Sequence, residues 1–162
     1  MGSGKTTVGR VVASKLGIPY IDLDEFIESK QAMPISEIFA EKGEIAFRKI
    51  EHISLKELLE NDDSFVLALG GGTPCYANNH LMLAKSDAVT VFLKASVGTL
   101  VQRLESEKNH RPLLAHSDSN LTEFVAKHLF DRNYYYNTAR YTIVTDSKSP
   151  DEVADEIIQA LT

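Results

Sequence analysis

The chain has 162 residues, of which 43% are hydrophobic and 25% charged, a size and balance that suit a single folded domain over residues 1–162. Its net charge of −6 argues against a broad electrostatic grip on nucleic acid or on an anionic membrane, so its basic residues must act locally. A single cysteine, Cys75, excludes an internal disulfide. The apolar runs are too short to span a bilayer, and no basic segment leads into an apolar one as in a secretory signal. The expectation is a cytoplasmic protein.

Helix-like and strand-like segments alternate along the chain, with no internal repeat and no linker rich in Pro, Gly or Ser. Residues 6–16 have helical spacing and end at Gly17, which suits a helix C-cap. Residues 18–23 read as a buried strand, 36–40 as a short helix, and 44–60 as a long helix whose apolar residues follow a 3.6 period. Residues 65–69 form an apolar run bounded by Asp63-Ser64 and three glycines, and read as a second strand. A third strand is expected at 88–93, then a helix at 97–104 with Ser96 as N-cap. Residues 109–120 read as a loop, 121–136 as a helix and 141–145 as a strand. Ser149, Pro150 and Asp151-Glu152 mark the start of a last helix over 151–161. Such alternation predicts an α/β domain, a parallel sheet with helices on both faces.

The chain opens Gly2-Ser3-Gly4-Lys5-Thr6-Thr7 and runs straight into its first helix. This is the second half of the phosphate-binding loop G-x-x-x-x-G-K-[ST]. Glycines let backbone N–H groups curl around phosphate oxygens, and the helix start adds unpaired N–H donors and a positive dipole end. Gly2, Ser3, Gly4, Lys5, Thr6 and Thr7 are therefore the expected ATP-phosphate site. Lys5 would reach the β- and γ-phosphates and the Thr6 hydroxyl would bind Mg²⁺. The loop's first glycine would lie two residues before Met1, and the strand that feeds it earlier still. We expect the natural product to begin about ten residues upstream with an apolar strand, and the 162-residue chain alone to be poorly folded or inactive without it.

Five further segments follow in order. Asp22-Leu23-Asp24 ends the first strand. Gly43-Glu44 and Phe47-Arg48-Lys49-Ile50-Glu51 lie in the long helix. Leu69-Gly70-Gly71-Gly72 closes the next strand, Arg111-Pro112-Leu113-Leu114 sits in the loop, and Arg132-Asn133 precedes a tyrosine run. With the phosphate loop, their order and spacing resemble the shikimate kinases over essentially the whole chain.

That resemblance implies a P-loop kinase that moves the γ-phosphoryl group of ATP to the 3-hydroxyl of shikimate, in aromatic amino-acid biosynthesis, with Mg²⁺ as cofactor and no nucleic-acid or membrane partner. We read it as a monomer. Arg48 and Arg132 match the family's two carboxylate-binding arginines, and a guanidinium fork suits a carboxylate. Arg48 could equally pair with Glu44 or Glu51 on a solvated helix face. By the resemblance, Asp22 serves Mg²⁺ through water, while Asp24 meets the substrate hydroxyls and orients or deprotonates the attacking one. Alternation along the strand end would point the two aspartates to opposite sides, unless one caps the next helix. Gly70, Gly71 and Gly72 match the family's substrate-contacting run, and Phe39 and Phe47 match its ring-side wall or else pack in the core. Arg111 matches a lid arginine that touches the transferring phosphates. Lys148 matches an adenine-side loop, and Arg103 is a further residue near the adenine.

Cys75 reads as structural, His110 and His116 as solvated, and Tyr134, Tyr135 and Tyr136 as a core cluster. Two alternatives stay open from the residues alone. One is another small-alcohol kinase, such as a gluconate kinase. The other is a nucleotide-binding paralogue without catalysis, which the incomplete loop would favour.

Overall fold

The computed structural model describes residues 2–107 and 121–162. It contains α1 (Lys5–Leu16), β1 (Tyr20–Asp22), α2 (Leu23–Gln31), α3 (Ile35–Leu59) and β2 (Val66–Ala68). A 3-10 turn over Thr73–Cys75 leads to α4 (Asn79–Lys85) and β3 (Val91–Lys94). Then come α5 (Val97–Glu107), α6 (Leu121–Tyr136), β4 (Tyr141–Val144) and α7 (Pro150–Leu161).

The ends of these elements follow from local chemistry. α1 stops at Gly17, where the Ile18 N–H returns to the Ala13 carbonyl at 3.1 Å, as helix ends with a left-handed cap do. α3 unites the two expected helices, but Gly43 breaks it with φ 79° and ψ 171°. A side chain would strain that conformation, so the glycine fixes the bend. α7 starts on a full capping box: Ser149 Oγ accepts from the Glu152 N–H, and Glu152 returns to the Ser149 N–H at 2.7 Å. The expected strand at 18–23 is shorter than its apolar run, because Asp22 caps α2 and Leu23 already belongs to that helix. The sequence reading assigned no element to α2 or α4.

The predicted parallel strands are present as two pairs. Tyr20–Asp22 lies against Val66–Ala68, and Val91–Lys94 against Tyr141–Val144, both parallel. Among the described residues β2 and β3 do not pair with each other. Between them lies a cavity of about 1400 Å³, walled in part by Val8, Val12, Val66, Ala68, Val91 and Leu93.

Each pair has its own core. Leu23, Ile27, Ile38, Phe47, Leu55 and Leu58 pack together beside β1 and β2. Val8, Val12, Val153, Ala154 and Ile157 join α1 to α7 over the other pair, and a third cluster links α5 to α6. None of the described helices is long and apolar enough to cross a membrane.

Candidate active site

The first hydrogen bond of α1 runs from the Val8 N–H to the Gly4 carbonyl at 2.9 Å. The N–H groups of Lys5, Thr6 and Thr7 are thus the helix's unpaired donors at its positive end. Gly2 and Gly4 have φ of 67° and 86°, which curls the loop ahead of them. Arg103, on α5, braces this loop from behind. Its guanidinium donates to the Gly2 carbonyl at 3.4 Å and to the Thr145 carbonyl at 3.0 Å. The phosphate loop is thereby fastened to the end of β4. There Asp146 gathers the Thr99 and Ser96 hydroxyls, hydrogen bonds that draw its carboxyl down to about 2.

Four charged groups from three parts of the chain converge beside this loop. Burial pushes the Lys5 ammonium below its usual range. Asp22 and Asp24 oppose that shift and Arg132 adds to it. Asp24 is pushed up, first by burial and then by Asp22 and Glu51, against the pull of Lys5. Asp22 also caps α2, its Oδ1 accepting from the Asp24 N–H at 2.9 Å.

The glycine run lies close against these side chains, and a Cβ at Gly70 or Gly72 would crowd them. A Cβ on Gly70 would stand 3.1 Å from Thr73 Oγ1 and 3.5 Å from Asp24 Oδ1. One on Gly72 would stand 3.0 Å from Arg48 Nη2. Arg48 Nη1 donates to Glu51 Oε1 at 3.0 Å, and its Nε lies 3.6 Å from Glu44. Glu51 is only 1% exposed and its second oxygen accepts from Thr73 Oγ1 at 2.8 Å. The chain of bonds continues inward: Asn79 Nδ2 donates to the Thr73 carbonyl at 2.8 Å, and Asn79 Oδ1 meets His52 Nδ1 at 2.6 Å. From the other side, the Tyr136 hydroxyl donates to the Gly71 carbonyl at 2.6 Å, with Arg132 beside it. Linked hydrogen bonds of this kind, from Glu51 through Thr73 to Asn79, hold the wall in place behind Arg48.

A phosphate-binding loop thus faces a rigid wall that carries two arginines and an aspartate. The sequence profile of the shikimate kinase family matches residues 1–162. The chain belongs to the shikimate kinase family. It is 50% identical to the shikimate kinase of Flavobacterium psychrophilum over 99% of this chain and 94% of that one. The Flavobacterium johnsoniae shikimate kinase is 47% identical over the same shares. Among solved structures, the shikimate kinase of Acinetobacter baumannii in complex with shikimate superposes with a TM-score of 0.85 at 37% identity, covering 99% of this chain and 88% of that one. That of Bacteroides thetaiotaomicron gives 0.87 at 32% identity, over 99% and 93%.

Against that family background, the structure brings Lys5, Asp22, Asp24, Arg48, Arg132 and Gly70–Gly72 to one place. The two aspartates correct the alternation argument: β1 ends at Asp22 and Asp24 sits in the first turn of α2. Both therefore bear on Lys5 instead of pointing apart, and Asp22 is the cap. Arg48 makes both helix-face pairs expected of a solvated residue while lying on the glycine wall, so the two alternatives coexist. Lys148 is held by Glu156 at 2.6 Å. Phe47 is buried in the core, with Phe39 tilted against it at 4.4 Å. The tyrosine cluster is corrected too, since Tyr134 is 70% exposed and Tyr136 bonds the glycine wall. Cys75 is half-buried and burial raises its thiol, which suits a structural role. Arg111, His110 and His116 lie outside the described residues.

The sequence reading missed Glu51, Thr73, Asn79 and Tyr136 as supports of the wall. For Glu51 a signal existed: it shares the core-facing stripe of α3 with Phe47, Ser54, Leu55 and Leu58. A carboxylate there needs a buried partner.

Proposed function

We propose that this chain phosphorylates the 3-hydroxyl of shikimate with ATP, giving shikimate 3-phosphate and ADP. The observation that carries this reading is the convergence of Lys5, Asp24 and Arg132 around a glycine wall that also seats Arg48. The N–H groups at the start of α1 and the Lys5 ammonium hold the β- and γ-phosphates. Arg48 and Arg132 take the acceptor's carboxylate, and Gly70, Gly71 and Gly72 let the ring come close to the backbone. Asp24 receives the proton as the acceptor oxygen attacks the γ-phosphorus and the bond to the β-phosphate oxygen breaks. Its raised carboxyl suits a group that must take up that proton.

Thr6 and Asp22 offer hard oxygen donors beside the phosphate loop, and these fit Mg²⁺. Asp22 Oδ1 caps α2, while Oδ2 accepts a long bond from the Tyr20 hydroxyl at 3.4 Å that a metal-bound water would replace. When bound, the ion spreads charge over the β- and γ-phosphates. The turn carrying Lys148 forms the adenine side, with Arg103 behind it. Arg111 supplies further charge at the phosphates, on the sequence match alone.

Following ADP release from Mg-ATP tests this. Shikimate should accelerate release and appear as a monophosphate ester. Equal acceleration by gluconate, or none by any acceptor, would replace the proposal with one of the two alternatives.

A further inference from the structure

We propose that Tyr76 is a positioning residue for the acceptor, its ring holding the Arg48 guanidinium in the plane that receives a carboxylate; this rests on Arg48 being a carboxylate-binding residue. The guanidinium carbon lies 3.8 Å from the Tyr76 ring centroid, against 5.2 Å for Phe47. A cation this close to a ring face is attracted to its π electrons, and a planar guanidinium stacks there with its N–H edges left free. Arg48 is otherwise incompletely held. Nη1 is bonded to Glu51, while the buried Nε makes no hydrogen bond and has only the Glu44 carboxylate nearby, at 3.6 Å. With so few short hydrogen bonds on the guanidinium, the ring face beneath it becomes its main lateral support.

The backbone around Tyr76 is built to aim it. Ala77 and Asn78 both lie in the left-handed region, with φ of 50° and 57°. Two successive non-glycine residues there are strained, and such strain persists where the surroundings over-determine it. Here they do. The Asn79 N–H donates to the Tyr76 carbonyl at 2.9 Å, and the Asn79 side chain is locked to Thr73 and His52. The ring itself is 39% exposed, so filling the core does not explain its placement. With Glu44, Ile45, Arg48, Lys49 and His52 it lines a recess of about 530 Å³.

Steady-state kinetics of Tyr76→Ala and Tyr76→Phe in the full chain test the proposal. Tyr76→Ala should raise the KM for shikimate about three- to tenfold while kcat and the KM for ATP hold. Tyr76→Phe keeps the ring face and should stay within about twofold of wild type. In an Arg48→Lys background the Tyr76→Ala penalty should shrink, because the two residues act as a pair. An unmoved shikimate KM in Tyr76→Ala overturns the proposal. So does a Tyr76→Phe variant as impaired as Tyr76→Ala, or an equal rise in the KM for ATP. Wild-type protein inert toward shikimate overturns the functional reading and this inference with it. An active wild type with an unmoved Tyr76→Ala variant overturns the role of Tyr76 alone.

Discussion

The two halves of this molecule build their parts of the site by different physical means. The half around α1, β4 and α7 presents backbone. Its N–H donors, helix dipole and one lysine are set by a few adjacent residues, with Arg103 as a brace. The half around α2, α3 and the glycine wall presents side chains. There Arg48, Glu51, Thr73, Asn79 and His52 form a continuous buried chain of bonds. Phosphates are alike in every nucleotide and suit a generic cradle. A particular hydroxy-acid needs donors at fixed places, and fixed places need support behind them.

The largest effect should come from the residue where the halves meet. Lys5→Met removes the ammonium that faces both aspartates and the phosphate loop. It should lower kcat by about a hundred- to a thousandfold, with the KM for shikimate changed far less. A comparable rise in that KM would show that the halves are not separable.

The divide between β2 and β3 can be probed directly. An apolar, β-branched segment of about six residues joined ahead of Met1 could pair with the facing edges of β2 and β3, which among the described residues do not pair with each other. Each buried ladder group so satisfied contributes about 1–3 kcal/mol, so the melting temperature should rise and ATP should bind more tightly. Unchanged melting would show that the two strand pairs close on one another in solution.

On the acceptor side, Arg48→Lys should weaken shikimate by about 1.5–3 kcal/mol, a ten- to hundredfold rise in its KM, because an ammonium cannot reproduce the fork. ATP binding should hold. An unmoved KM would return Arg48 to a helix-face ion pair with Glu44 and Glu51.

The smallest effects separate the two aspartates. Asp24 is raised above 3.8 in the folded protein, so the native state holds that proton more tightly than the unfolded chain. Its contribution to stability therefore falls as pH climbs from the unfolded value through the raised one. Asp24→Asn should melt higher than wild type at neutral pH, lose that advantage in acid, and lower kcat. The acid limb of kcat/KM should lie above the ordinary carboxylate range for the same reason. Asp22→Asn keeps a good N-cap, so its stability should barely change while its Mg²⁺ requirement rises. Identical responses of both variants to Mg²⁺ and shikimate would dissolve the division of labour between them.

By itself the sequence determined what depends on neighbouring residues. The Gly2–Thr7 loop, the Gly17 and Ser149 caps and the helix over 121–136 were all legible, because backbone preference and 3.6-residue spacing are local. The family resemblance extended this to Arg48, Arg132 and the glycine run. Tertiary structure alone decided which of two aspartates caps α2, since that depends on where β1 stops. It alone placed Glu51 under Arg48 and Tyr136 on Gly71, 65 residues away in the chain. It also decided that a side chain at Gly72 would press on the Arg48 guanidinium. Residues at such separation meet only when the fold brings them together, and no local preference encodes the meeting.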